Sequence, residues 1–124
     1  MIKCGIDLLR TSRLADVNPA IRARFIQRVY TEAEIAQAQG YNDTLSGIFA
    51  AKEAVSKALG TGIGRVAWQD IEILHAPSGE PAVLLHGVAL EVAQAKGLDE
   101  WAVSITHEGG MAAAVAVAKS ARDK

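Results

Sequence analysis

The stretch FAAKEAVSKALGTGIG, Phe49 to Gly64, constrains the fold more than any other part of the chain. Its residues favour a helix, and its apolar positions Leu45, Ile48, Phe49, Val55 and Leu59 recur at helical spacing. Asp43 or Thr44 is placed to cap its start, and Gly60 to end it in the left-handed conformation that glycine adopts without strain. Such a helix sets Lys52, Glu53, Ser56 and Lys57 on successive turns. Glu53 and Lys57 share a face because they are four residues apart. The exit through Gly60, Gly62 and Gly64 leaves backbone amides free to approach an anion closely. It is no Walker loop, since its lysine precedes the glycines instead of following them.

The rest of the chain supplies a sheet for this helix. Ile2 to Leu9 reads as a buried strand with Asp7 near its end. Asn18-Pro19 opens a helix to Arg28, and Thr31 with Glu34 forms a capping box for a short helix ending near Gly40. Trp68 to His75 and Pro81 to Leu85 predict strands joined by PSGE, and Val88 to Lys96 predicts a helix stopped by Gly97. Ala102 to Thr106 and Met111 to Ala118 predict a hairpin around HEGG. This irregular alternation points to a small α+β domain, not a doubly wound parallel sheet. With 124 residues and no repeat or long linker, residues 1–124 form a single domain. A core of this size leaves apolar surface for a second subunit.

Charge and cysteine usage narrow the function classes. The net charge is −1 and aromatic residues are 5% of the chain, which argues against nucleic acid as a partner. The segment from Arg10 to Arg28 nevertheless carries five arginines against one acid, Asp16. A basic strip on a near-neutral protein fits a specific acidic partner. No apolar run approaches the roughly 18 residues of a membrane span, and the start is too short and too charged for a signal peptide. Cys4 is the only cysteine, so no intrachain disulfide can form and a cytoplasmic location is expected. Its apolar strand marks it as a small core residue, not a nucleophile. His75 and His86 lack zinc-ligand spacing. Asp7 and Glu53 together offer the carboxylate oxygens that Mg²⁺ takes alongside phosphate and water.

In order, GIDLL, RFIQRVYTEAE, FAAKEAVSKALGTGI, QDIEIL, SGEP and VSITHEGGMAAAVAV resemble the holo-acyl-carrier-protein synthases over nearly the whole chain. The resemblance implies the 4'-phosphopantetheinyl transferase fold, a curved and mostly antiparallel sheet packed on a long helix and completed by oligomerisation. It implies Mg²⁺-dependent transfer of the 4'-phosphopantetheine arm of coenzyme A to a serine of apo-acyl carrier protein, a step of fatty acid biosynthesis and related pathways. Adenosine 3',5'-bisphosphate is the other product. Asp7 and Glu53 then correspond to the metal ligands, Glu53 to the base and Lys57 to the pyrophosphate clamp. Lys52, Ser56, Gly60, Gly62, Thr106 and His107 correspond to cofactor-binding positions. Members are homotrimers with sites between subunits, whereas related two-lobed transferases are about twice as long. Arg13, Arg22, Arg24 and Arg28 correspond to an arginine-bearing helix that docks the acidic carrier.

Three positions depart from the family pattern. Arg10 stands where an acid is usual, Ile48 replaces the arginine of GRFAAKEA, and Glu80 replaces the lysine of GKP. Loss of a charged hydrogen bond at Ile48 would weaken coenzyme A binding by about 1.5–3 kcal/mol. These departures keep open a second reading, a divergent paralogue that binds coenzyme A or a carrier without turnover.

Overall fold

The structure, a computed structural model, describes residues 1–121. In chain order the elements are β1 Ile2–Arg10, α1 Ser12–Ala15, α2 Pro19–Val29, α3 Glu32–Ala38, α4 Asn42–Leu59, β2 Ile71–His75, β3 Pro81–Leu85, α5 Gly87–Ala95, β4 Glu100–Glu108 and β5 Met111–Lys119. Every strand pairing is antiparallel: β5 lies between β1 and β4, and β2 pairs with β3 in a separate hairpin.

The long helix α4 is buried on two sides because its sequence is apolar almost all round. One side meets the three-stranded sheet through small residues. Ala50, Ala51, Ala54 and Ala58 of α4 are buried, as are Ala112, Ala114, Ala116 and Ala118 of β5. Gly5 is paired with Ala116, and a Cβ there would lie 2.0 Å from the carbonyl oxygen of Ala54 and 2.9 Å from the Lys57 Cβ. Only a residue without a side chain lets β1 approach the helix this closely. On α4's other side the larger residues Leu45, Ile48, Val55 and Leu59 are buried, as are Tyr30, Ile71 and Ile73.

Several local expectations are corrected by what these elements pack against. The first strand runs on to Arg10, and a short helix α1 follows it. Neither Asp43 nor Thr44 caps α4; the helix starts at Asn42 after Tyr41, which makes no side-chain cap bond. Trp68–Asp70 is a turn of 3-10 helix and the strand begins only at Ile71. Its Asp70 accepts from the Ala67 amide and so satisfies the turn locally. Cys4 is exposed, not part of the core. Even-numbered residues of β1 point away from α4, and among the described residues nothing covers that face. Ile2, Ile6 and Leu8 are 71%, 67% and 62% exposed on it, and β5 adds Val115 and Val117.

Candidate active site

The candidate site forms where β1 crosses the C-terminal half of α4. Odd-numbered residues of β1 face the helix, which brings Asp7 two residues beyond the close contact at Gly5. Lys57 Nζ donates to the Ile6 carbonyl at 2.9 Å and lies 3.4 Å from Asp7 Oδ1. Its side chain remains 50% exposed while that of Asp7 is 18% exposed, so the ammonium can also meet a ligand from solvent. A cation at this end of α4 is further favoured by the helix dipole.

Glu53 lies one turn before Lys57 on the same face. Its carboxyl is raised above the ordinary 4.5 of a glutamate, first by desolvation and then by the negative charge of Asp7; Lys57 and Arg13 pull it the other way. No hydrogen bond from another described residue holds the Glu53 carboxylate. The charge of Asp7 is thus felt at Glu53, so the two carboxylates belong to one electrostatic neighbourhood. That donor set fits Mg²⁺, which takes one or two carboxylates and completes its shell with phosphate and water. Among the described residues no cluster of three or more His, Cys, Asp or Glu exists, so a closed protein-only metal cage is absent there.

Other expected members of the site fall elsewhere. Lys52 is fully buried and turned away from Glu53: its ammonium meets Glu34 Oε1 at 2.8 Å, the Trp68 carbonyl at 3.0 Å and the Ile71 carbonyl. All three donors of an ammonium group are thereby used, and none is left for a cofactor. Ser56 is buried too, and its hydroxyl donates to the Glu53 carbonyl at 2.7 Å. The expectation of free glycine amides is also corrected. The amide of Gly60 donates to the Lys57 carbonyl, that of Gly62 to Ser56 and that of Gly64 to Val66. A helix C-terminus presents orphan carbonyls, so the loop that leaves it spends its amides on them. Lys96 Nζ donates to the last of these, the Leu59 carbonyl. Gly60 and Gly62 do take positive φ, 85° and 65°, the left-handed conformation expected of glycine after a helix.

His107 sits at the opposite end of α4. Its Nε2 is 2.7 Å from the Asp43 carbonyl, and because a carbonyl only accepts, Nε2 carries the proton. The ten residues from Asp43 to Glu53 span about 15 Å of helix, so His107 is remote from Glu53 within one chain. Gly47 makes room for it; a Cβ there would lie 3.0 Å from His107 Nε2. Thr106 points to the exposed outer face of the sheet. Ile48 is fully buried on the Lys52 side of α4, where an aliphatic side chain completes the core. Glu80 is exposed in the β2–β3 turn.

Of the arginines, Arg13, Arg24 and Arg28 are exposed, whereas Arg22 donates to the Gly40 carbonyl and to Asn42 Oδ1 at 2.6 Å. Arg22 therefore ties α2 to the start of α4. Arg13 borders a hollow of about 510 Å³ lined by Leu9, Leu14, Val17, Ile21, Phe25 and Phe49. Sequence reasoning missed this hollow, because its walls come from four separate elements. It also missed the Ile6 carbonyl, since a backbone acceptor leaves no mark in a sequence.

The antiparallel sheet on a buried KEA-bearing helix, with Asp7 brought to Glu53 and Lys57, defines a domain of the phosphopantetheine-transferring class. The family described as the 4'-phosphopantetheinyl transferase superfamily matches residues 3–116, and the chain belongs to it. Similar curated proteins are the holo-[acyl-carrier-protein] synthases of Moorella thermoacetica, 43% identical over 97% of this chain and 95% of that protein, and of Alkaliphilus metalliredigens, 42% identical over 95% and 99%. Among solved structures, the Helicobacter pylori holo-[acyl-carrier-protein] synthase in complex with coenzyme A has a TM-score of 0.84 at 32% identity, covering 96% of this chain and all of that one. The Neisseria meningitidis enzyme has a TM-score of 0.85 at 32% identity, covering 97% and 100%.

Proposed function

We propose that this protein is a holo-[acyl-carrier-protein] synthase, which moves the 4'-phosphopantetheine arm of coenzyme A onto a serine of apo-acyl carrier protein. The observation that carries this reading is the meeting of Asp7, Glu53 and Lys57 on one half-open face, in a chain similar throughout to enzymes of that name. The serine oxygen bonds to the β-phosphorus, the bond from that phosphorus to the bridging oxygen breaks, and adenosine 3',5'-bisphosphate leaves with the electron pair. Glu53 accepts the serine proton, a task suited to a carboxylate whose affinity for protons is raised. Lys57 places its charge beside the phosphates and stabilises the leaving oxygen. Asp7 and Glu53 would hold Mg²⁺, which when bound neutralises charge on the pyrophosphate. Ser56 and the Gly60–Gly62 loop shape the wall behind it; their contribution is the helix end rather than free amides.

The same reading assigns the protein to a homotrimer. The exposed apolar strip of Ile2, Ile6, Leu8, Val115 and Val117 is what such an interface covers. It also explains why His107 and Thr106 stand about 15 Å of helix from Glu53: a neighbouring copy supplies them to each site. Arg13, which borders the apolar hollow, together with the exposed Arg24 and Arg28 of α2, is the proposed carrier-docking surface. Arg22, occupied by Asn42, supports that surface from below. Among the described residues no helix is long and apolar enough to cross a membrane; a cytoplasmic location is part of the proposal.

Incubating the protein with apo-carrier, coenzyme A and Mg²⁺ is expected to add the mass of one phosphopantetheine arm to the carrier. The same sample is expected to sediment as a trimer. Absence of transfer to any of several apo-carriers by a folded trimer would refute the reading. Binding of coenzyme A or carrier without transfer would select the non-catalytic alternative. A Lys57→Met variant is expected to lose about 10²-fold in kcat, in the range seen when one charged stabiliser is removed. A loss under fivefold would mean that Lys57 serves only its contacts with Ile6 and Asp7.

A further inference from the structure

Lys52 immediately precedes Glu53, yet it is held on the far side of α4 by the most fully satisfied polar contact in the core. Glu34 and Lys52 are both 0% exposed and meet at 2.8 Å. Glu34 Oε1 also accepts from the Thr31 amide at 2.9 Å, and Oε2 accepts from the Ile73 amide at 2.8 Å. Lys52 reaches the Trp68 and Ile71 carbonyls and lies 5.9 Å from the centroid of the Tyr30 ring. The Tyr30 hydroxyl donates to the Leu45 carbonyl of the same helix at 2.7 Å. One residue of α4 is thus bound in fixed directions to α3, to the turn before β2 and to β2 itself.

A buried ion pair is weak support for stability alone, because desolvation offsets much of its attraction. What it adds here is direction. The alanine and glycine contacts on the sheet side of α4 are non-directional. The hydrogen bonds there, Lys57 to the Ile6 carbonyl and His107 to the Asp43 carbonyl, are made by exposed side chains that can follow a small rotation of the helix. Side-chain tips stand about 5–6 Å from a helix axis, so a rotation of roughly 10° moves a tip by roughly 1 Å. The carboxylate of Glu53 has no hydrogen-bonded anchor of its own among the described residues. Its direction is whatever the rotation of α4 gives it.

We propose that the Glu34–Lys52 pair is a positioning device: it fixes the rotational setting of α4 and thereby aims Glu53 at the reacting serine. This rests on the transferase reading above. Neither residue touches the substrate in it.

The test removes the donors of Lys52 without burying an unpaired carboxylate. Glu34→Gln keeps one acceptor oxygen, for Lys52 and the Thr31 amide, while its NH₂ group faces the Ile73 amide. It is expected to lose stability but to fold at reduced temperature, and there to hold kcat within about threefold of the unaltered enzyme. Adding Lys52→Met to it is expected to lower kcat a further ~10–100-fold, with KM for coenzyme A within about threefold, at a temperature where both variants are folded. A misaimed base slows the chemical step without loosening the substrate. A double variant with kcat within about twofold of Glu34→Gln would overturn the proposal. So would a double variant that does not fold, which would make the pair a stability element, or one in which KM alone rises. Failure of the unaltered enzyme to transfer at all brings down the transferase reading and this one with it, whereas the preceding outcomes bring down this one only.

Discussion

Replacing Glu53 by glutamine is expected to reduce transfer at least ~10³-fold while leaving the protein folded and no less stable at neutral pH. Glutamine has nearly the same shape but can neither accept a proton nor contribute an anionic oxygen to Mg²⁺. The stability half of this prediction follows from the sign of the pKa shift. In the metal-free protein the Glu53 carboxyl binds its proton more tightly than it does in the unfolded chain, above the ordinary 4.5. Folding therefore gains from Glu53 while it is protonated and loses that gain as pH rises from 4.5 through the raised value. At pH 7 the ionised group opposes folding, through its own desolvation and through the Asp7 charge. The amide removes both costs. Thermal melts without metal at pH 7, paired with transfer assays, check the two halves together. A variant that is inactive because it has unfolded would refute the assignment, and so would near-normal transfer. The acid limb of kcat/KM in the unaltered enzyme is likewise expected above the usual glutamate range when metal is limiting, and bound Mg²⁺ is expected to move it down.

The second large effect is structural. A Gly5→Ala substitution is expected to cost more than about 3 kcal/mol, beyond the usual price of one extra methyl in a core. The added Cβ would stand 2.0 Å from the Ala54 carbonyl oxygen and 2.9 Å from the Ala58 nitrogen. Both are backbone atoms of a helix, so no side chain can rotate out of the way. The strand must move off α4, carrying Asp7 from Lys57 and Glu53. For a chain of this length that cost corresponds to a melting temperature lowered by about 10 °C or more. Residual activity, measured well below the melting transition, is expected to fall with it. A variant melting within about 2 °C of the unaltered protein would show that β1 does not press on α4 as described.

Much of the architecture was legible because it is written in local periodicity. Helical spacing fixed α4, and the Asn18-Pro19 and Thr31–Glu34 signals gave α2 and α3 their starts, with the capping box present as read. The terminal hairpin followed from two apolar runs around HEGG. The misplaced details share one cause. Asp43, Thr44 and Trp68 had the right propensities, but which residue begins an element depends on what the neighbouring chain leaves free. Cys4 was read as buried because its strand is apolar, and an apolar strand looks the same whether a helix or another subunit covers it.

The candidate site divides along the same line. The sequence by itself determined that Glu53 and Lys57 share a face, because i and i+4 coincide on any α-helix. It also determined that the first strand carries a carboxylate, Asp7, and that a glycine lies two residues before it. Only the tertiary structure decided that this glycine meets the Ala54 carbonyl and so delivers Asp7 to Lys57. It alone turned Lys52 inward to Glu34, spent the amides of Gly60 and Gly62 on the end of α4, and separated His107 from Glu53 by about 15 Å of helix. Helix geometry relates residues a few positions apart, but the choice of which face is buried, and against what, is made by partners tens of residues away.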